Sequence, residues 1–263
     1  MNTTQASYYL PAETANLLTD ERLKQCQNPG LLLNKYPPQA VLHNSTRKNQ
    51  WLRDTMSHNR IDANLASHAY RRWLALTTAA AAQHFHAATD WRLAIGLHSA
   101  TVLETSLTLH PLYGIPLIPG SALKGLCRNY VTSEKAEHAS KRIEEDDPII
   151  QCIFGTPNQS GTVLFFDALP FEGKATLALD IINVHYPDYY SEGKTPSNDQ
   201  RPNPLLFLTV TDTTFAFALA PRNQQREEQK NDVLTAVQWL QEALQAYGVG
   251  GKTSAGYGYF TPL

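Results

Sequence analysis

A chain of 263 residues with 42% hydrophobic and 17% charged content is long and apolar enough for a packed core, as one large domain or two small ones. Its 22 basic and 24 acidic residues leave a net charge of −2 and a pI near 6.5, which excludes a protein that holds nucleic acid by bulk positive charge. Three widely spaced cysteines (Cys26, Cys127, Cys152) make neither a disulfide framework nor a metal knuckle, and no signal peptide or membrane span is visible. A soluble cytoplasmic protein with free thiols and no metal or cofactor is expected.

Residues 1 to about 50 are polar, dotted with Pro11, Pro29, Pro37 and Pro38, and show little periodicity. Residues 50–86, free of proline and rich in alanine, leucine and tryptophan, predict one or two helices. Arg47, Lys48, Arg53, Arg60, Arg71 and Arg72 give this region a local positive excess around Trp51 and Trp73. That suits RNA or an acidic neighbour, although a solvated helix face over buried tryptophans is the commoner arrangement.

From Trp91 the period becomes two. Trp91, Leu93, Ile95 and Leu97, then Leu103, Thr105, Leu107 and Leu109, predict two strands paired as a hairpin, each with a buried and a polar face. The prolines of Gly114-Ile115-Pro116-Leu117-Ile118-Pro119-Gly120-Ser121 force extended geometry, and Ser121 is placed to cap a helix. That helix buries Leu123, Leu126, Cys127, Tyr130 and Val131, with Lys124 and Arg128 toward its solvent edge. The acidic stretch Glu144-Glu145-Asp146-Asp147 reads as a solvated linker.

Strands follow near 162–169 and 175–184, then a polar segment over about 185–204 with Tyr186, Tyr189 and Tyr190. Leu205–Val210 and Thr214–Ala220 predict a hairpin across Thr211-Asp212-Thr213. Asn231-Asp232 resembles an N-cap; Val233, Val237, Leu240, Leu244 and Tyr247 continue at helical spacing, with Gly248 as the glycine just past the end. The chain closes on a short strand at Tyr257-Gly258-Tyr259-Phe260. Strand, helix, strand, strand, helix, strand, with inserted hairpins, is an α+β, ferredoxin-like or RRM-like order. The domain reading is a partly helical N-terminal extension over 1–87 and an RRM-like domain over 88–263.

The tail holds five glycines between Gly248 and Gly258, with Lys252, Thr253 and Ser254 among them. Such a loop offers backbone amides to phosphate and rings to bases, or serves simply as a turn from helix to strand. A Walker A loop is a poor fit. It needs glycine where Ala246 stands, and here the helix precedes the loop, presenting its negative end to any triphosphate.

The segment from Gly114 to Gly125, Gly-Ile-Pro-Leu-Ile-Pro-Gly-Ser-Ala-Leu-Lys-Gly, resembles the G-x-P-x-IPGSSLKG signature of the RAMP superfamily of CRISPR-associated proteins, with Ala122 in place of the second serine. The glycine-rich end, Gly248 to Gly258, resembles the other RAMP hallmark. With Ile153-Phe154-Gly155, Val163–Ala168, Leu179–Ile182, His185–Tyr190 and Pro202–Leu208 between them, residues 91–263 look like the sixth-subunit family of the type III-B (Cmr) effector.

The resemblance implies a RAMP domain in a subunit without chemistry of its own, gripping CRISPR RNA near its 3′ end. Its partners would be CRISPR RNA, target RNA, the RAMP backbone subunits and the polymerase-like large subunit, with no membrane and no small-molecule substrate. Guides vary in sequence, so phosphate, ribose and shape are the features to hold. The candidate RNA-binding residues are Ser121, Lys124, Arg128, Gly248, Gly250, Gly251, Lys252, Thr253, Ser254 and Tyr257, with Tyr189 as a possible stacking residue. Some RAMP relatives cleave RNA through a histidine base, and His110, just before the Pro119-Gly120-Ser121 turn, is the candidate for that alternative.

Overall fold

The computed structural model describes residues 7–56, 61–97, 103, 105–133, 143–184 and 203–263. Tyr186, Tyr189, Tyr190 and Arg60 lie outside them.

The N-terminal region holds α1 (Ala12–Leu17), α2 (Asp20–Gln25), α3 (Pro29–Asn34), α4 (Gln39–Leu42), α5 (Ser45–Met56) and α6 (Ala63–Ala79). The first four helices, of four to six residues, are too short to show a periodicity, and two of them are set by side-chain caps. Thr19 Oγ1 accepts from the Arg22 amide, and Asn28 Oδ1 accepts from Leu31 ahead of a proline at the first turn. Tyr8, Leu23 and Leu32 form a small apolar cluster of their own, while Leu33, Val41 and Leu52 are buried in the main core.

The core begins with β1 (Gln83–Thr89), a strand that lies inside the region read as helical and starts before the boundary drawn at 88. After β2 (Arg92–Leu93) come α7 (Gly120–Thr132), α8 (Pro148–Phe154), the small pair β3 (Gly155–Thr156) and β4 (Gln159–Ser160), β5 (Val163–Phe165) and β6 (Leu169–Pro170). The chain continues through β7 (Thr176–Val184), β8 (Asn203–Thr211), β9 (Thr214–Pro221), α9 (Glu227–Ala246) and β10 (Phe260–Pro262).

The central sheet runs β10-β1-β9-β5, with β6 also on β9, and every pairing is antiparallel. Taken as β1–α7–β5–β9–α9–β10, this is the ferredoxin-like βαββαβ order. β9 explains the layering. Its Phe215, Phe217 and Leu219 face α7 and α9, while Ala216 and Ala218 face α6 together with Tyr70 and Ile115. Large residues on one side and small ones on the other let helices cover both faces of a strand with no exposed side chain beyond Thr214. Phe85 of β1 sits directly opposite Phe217, and their rings stack at 4.8 Å.

Two expected hairpins are not seen as ladders among the described residues. β8 and β9 are consecutive but belong to different sheets: β8 pairs with β7 along nine residues and with β2, and β9 pairs with β1. The link turns at Asp212, at a φ of 44°, and the Thr89 amide donates to the Thr213 carbonyl at 3.0 Å, which carries the β1 ladder past the link. Between the segments at 91–97 and 105–110 the structure shows one backbone bond, from Thr108 N to Ile95 O at 2.8 Å. Ladder pairing in the first segment is confined to Arg92–Leu93, because the Ala94 carbonyl is taken by the amide of Gly251 at 2.6 Å. The alternation also fails there: Leu93, Ala94, Ile95 and Leu97 are all buried, whereas Trp91 is 49% exposed.

Candidate nucleic-acid interface

α7 starts at Gly120, two residues before a helix capped by Ser121 would begin. Its N-cap is Pro119, which offers no side-chain bond, and Asp167 Oδ1 accepts from the Gly120 amide at 2.7 Å instead. Gly120 packs against the chain at Phe165, where any side chain would run into that carbonyl. The Pro-Gly-Ser turn is therefore a close-approach device, and Ser121 is left exposed in the first turn of the helix.

The glycine loop leaves α9 at Gly248, whose φ of 67° is the left-handed exit expected there. It is not an open string of amides. Gly248 is buried and donates to the Ala243 carbonyl at 3.2 Å, Gly251 donates to Ala94, and Gly258 donates to Arg92 O at 2.7 Å. Gly250 lies so close to the Ala94 carbonyl that a side chain has no room. Among the described residues, the amides of Gly250, Lys252, Thr253 and Ser254 have no acceptor, so the free donors are concentrated at the loop's tip.

Lys252 takes a left-handed φ of 61°, uncommon for a residue with a side chain. Its ammonium lies 5.8 Å from the centroids of both the Phe207 and Tyr257 rings. Tyr257, expected to offer its ring to a base, is only 5% exposed. Its hydroxyl donates to Asp180 Oδ2 at 2.7 Å, and Asp180 also pairs with Arg92 Nε at 3.3 Å. Burial, and then the Asp180 carboxylate, push the Tyr257 phenol up to about 12. The tyrosine positions the lysine.

The two distant sequence signatures meet. A cleft of about 600 Å³ is lined on one side by Ala122, Leu126, Asn129 and Ser133 of α7 and on the other by Tyr247–Gly250, Thr253 and Ser254. Among the described residues no carboxylate lines it. Lys124 and Arg128 are not part of that wall: they lie roughly 130–170° around the helix from the cleft stripe. The exposed ridge of Ser121, Gly125 and Asn129 runs between the two. On the far flank, burial followed by the charges of Arg222 and Arg128 lowers the Lys124 pKa, so three cations crowd together there. Arg222, which sequence reasoning missed, is held there by donating from Nε to the Gly161 carbonyl at 2.8 Å. Glu145 Oε2 approaches Arg128 at 3.9 Å, but both groups are well exposed and the pair is weak.

Of the basic N-terminal stretch, Arg47, Arg53, Arg71 and Arg72 are exposed. Trp73 is buried and donates from Nε1 to Asp167 O at 2.8 Å, and Lys48 is buried too. His110 is part of a turn: its Nδ1 accepts from the Leu112 amide at 3.2 Å, and its ring packs on Tyr113. Burial lowers its pKa against the opposing pull of Asp167. Among the described residues no His, Cys, Asp and Glu cluster could hold a metal ion, and no helix is long and apolar enough to cross a membrane.

A ferredoxin-like core whose first helix and C-terminal glycine loop enclose one cleft defines a class of proteins. The RAMP superfamily model matches residues 84–261, and this chain belongs to that superfamily. Among curated proteins it is similar to the Cmr6 subunit of the Cmr CRISPR system of Pyrococcus furiosus, 33% identical over 227 residues, with 65% of each chain covered. The Cmr6 subunit of Saccharolobus solfataricus is 26% identical over 181 residues, covering 67% of this chain and 56% of the relative. The chain thus spans less than two thirds of the length of either. The Csm3 endoribonuclease of Streptococcus thermophilus is 26% identical over 182 residues, 64% of this chain and 81% of that one. Among solved structures, a chain of the type III-B Cmr-beta complex bound to cognate target RNA, seen by cryo-electron microscopy, covers 96% of this chain and 84% of its own. Its TM-score is 0.61 at 20% identity, a likeness of fold.

Proposed function

We propose that this chain is a non-catalytic RNA-binding subunit of a type III-B CRISPR (Cmr) ribonucleoprotein, gripping the CRISPR RNA backbone near its 3′ end. Target RNA and the other Cmr subunits, RAMP backbone and polymerase-like large subunit, are its neighbours. The observation that carries this reading is the shared cleft. Among the described residues its lining holds Thr253 and Ser254, whose amides are unpaired, and no carboxylate, and the adjacent Lys252 keeps its ammonium 5.8 Å from the Phe207 and Tyr257 rings. Such groups recognise phosphate and ribose and carry no base preference. The cations Lys124, Arg128 and Arg222 across the ridge supply a second set of phosphate contacts, so a strand crossing α7 is held at both edges. The similarity to the two Cmr6 proteins supports the assignment to that particle.

The test is photo-crosslinking in a reconstituted particle carrying guide RNA. Guide crosslinks within residues 250–254 are the expected result; a loaded particle whose guide crosslinks only elsewhere on this chain, or not to it, overturns the reading.

A second reading, RNA cleavage by a histidine base, draws on the similarity to a protein named as an endoribonuclease. His110 is the candidate. One of its ring nitrogens is occupied in shaping its own turn, which favours a strut over a general base.

A further inference from the structure

Trp91 stands out among the exposed side chains. Tryptophan is usually well buried, and in this chain Trp51 and Trp73 are part-buried or buried while Trp91 is 49% exposed. Its exposure is not slackness. The Asp90 amide donates to Tyr259 O at 2.9 Å, Gly258 donates to Arg92 O at 2.7 Å, and Thr211 Oγ1 donates to Trp91 O at 3.3 Å. The backbone on both sides of the indole is thereby tied to the glycine loop and to β8. From the protein side the ring is backed by Tyr257, at 4.9 Å between centroids, and by the Arg92 guanidinium at 5.7 Å. Arg92 is itself held by Leu179 O, Thr209 Oγ1 and Asp180. Gly256 of the loop lies beside the indole edge, where a methyl group would just touch Cε3 at 4.0 Å, and the ring still keeps half its surface open.

We propose that Trp91 is a stacking platform for one nucleobase of single-stranded RNA, seated beside the phosphate-holding tip of the glycine loop. The inference deepens the RNA-binding reading and rests on it. Lys252 and Trp91 share a neighbour: the ammonium is 5.8 Å and the indole 4.9 Å from the Tyr257 ring. A cation for the backbone and an aromatic face for the base are thus joined through one buried ring, the combination that single-strand binders use. Stacking tolerates any base, which suits a subunit that meets guides of every sequence. A tryptophan beside an arginine also suits a protein hot spot, but the centre of a protein interface is depleted of charge. Around Trp91 the loop offers glycines, hydroxyls and an ammonium. The exposed Ile181 of β7 alternates with Asp180 and so points away from the Tyr257 contact.

The test is equilibrium binding of a labelled single-stranded oligoadenylate by the full chain, in parallel with intrinsic tryptophan fluorescence. Trp91→Ala weakens binding by about 5- to 150-fold with an unchanged salt slope, since only stacking is lost. Trp91→Phe restores most of the affinity but loses the fluorescence quench that RNA produces in the wild type. Trp91→Ala binding as tightly as wild type overturns the proposal, as does a quench that persists in Trp91→Phe. So does normal RNA binding by Trp91→Ala coupled to failure to join the other subunits, which would make the indole a protein contact. Absence of RNA binding by the wild type would sink the parent reading as well, so the two failures are distinguishable.

Discussion

Replacing Tyr257 by phenylalanine removes one oxygen and leaves the ring that touches Lys252, Trp91 and Phe207. The lost bond is a 2.7 Å hydroxyl donation to a carboxylate. Hydrogen bonds to charged acceptors contribute about 1.5–3 kcal/mol. Here the figure belongs at or below the low end, because Asp180 is 24% exposed and keeps Arg92 at 3.3 Å. A loss of ~1–1.5 kcal/mol at pH 7 is the expected outcome in urea unfolding with an unchanged m-value. The pH dependence fixes the cause. An acid whose folded pKa is raised, here from 10.0 to about 12, contributes stability that is fully present below pH 10 and is lost as pH rises through that window. The wild-type advantage over Tyr257→Phe should therefore shrink between pH 10 and 12, where phenolate and Asp180 begin to repel. A gap that stays constant across the window, or one under about 0.3 kcal/mol at pH 7, would refute the account of Tyr257 as a buried hydrogen-bonded strut.

Gly120→Ala drives a methyl group into the Phe165 carbonyl and should cost about 1–3 kcal/mol, read as a drop of several degrees in Tm, while Gly125→Ala, with open space around it, should be neutral or slightly stabilising. Lys124→Ala combined with Arg222→Ala should weaken RNA binding and lower the salt slope by about 0.7 per lost phosphate contact; an unchanged slope in a salt titration speaks against contact by that flank. Labelled CRISPR RNA incubated with the purified chain should stay intact on a denaturing gel, with or without divalent metal, for wild type and His110→Ala alike. Cleavage that His110→Ala abolishes would establish the nuclease reading.

The sequence displayed whatever was local. Leu123, Cys127, Tyr130 and Val131 of α7, the end of α9 at Gly248 and the long strand at β7 stand where periodicity and turn chemistry put them, whereas Ser121 does not cap α7 and α9 starts at Glu227, ahead of the cap expected at Asn231-Asp232. What it hid was pairing. β8 and β9 each look like half of a hairpin, and only the competition between β7 and β1 for their edges decides otherwise. β1 was masked because Gln83-His84-Phe85-His86 carries two half-buried histidines, and His84 is accommodated by a 2.7 Å contact with Thr77 Oγ1 on α6. Within the site, the glycine loop and α7 were legible as partners. That Tyr257 turns inward, that several loop amides are spent on Ala94 and Arg92, and that Arg222 joins Lys124 were not, because each depends on long-range contacts.

The cage around Lys252 bears on the entropy of encounter. A lysine on an ordinary surface loses rotamer freedom when an anion captures it, about 0.5–1.5 kcal/mol per side chain. Here a left-handed backbone and two rings have already restricted the chain during folding. An incoming anion meets an ammonium with less freedom left to lose, so the same single charge holds on more tightly than it would on a freely rotating side chain.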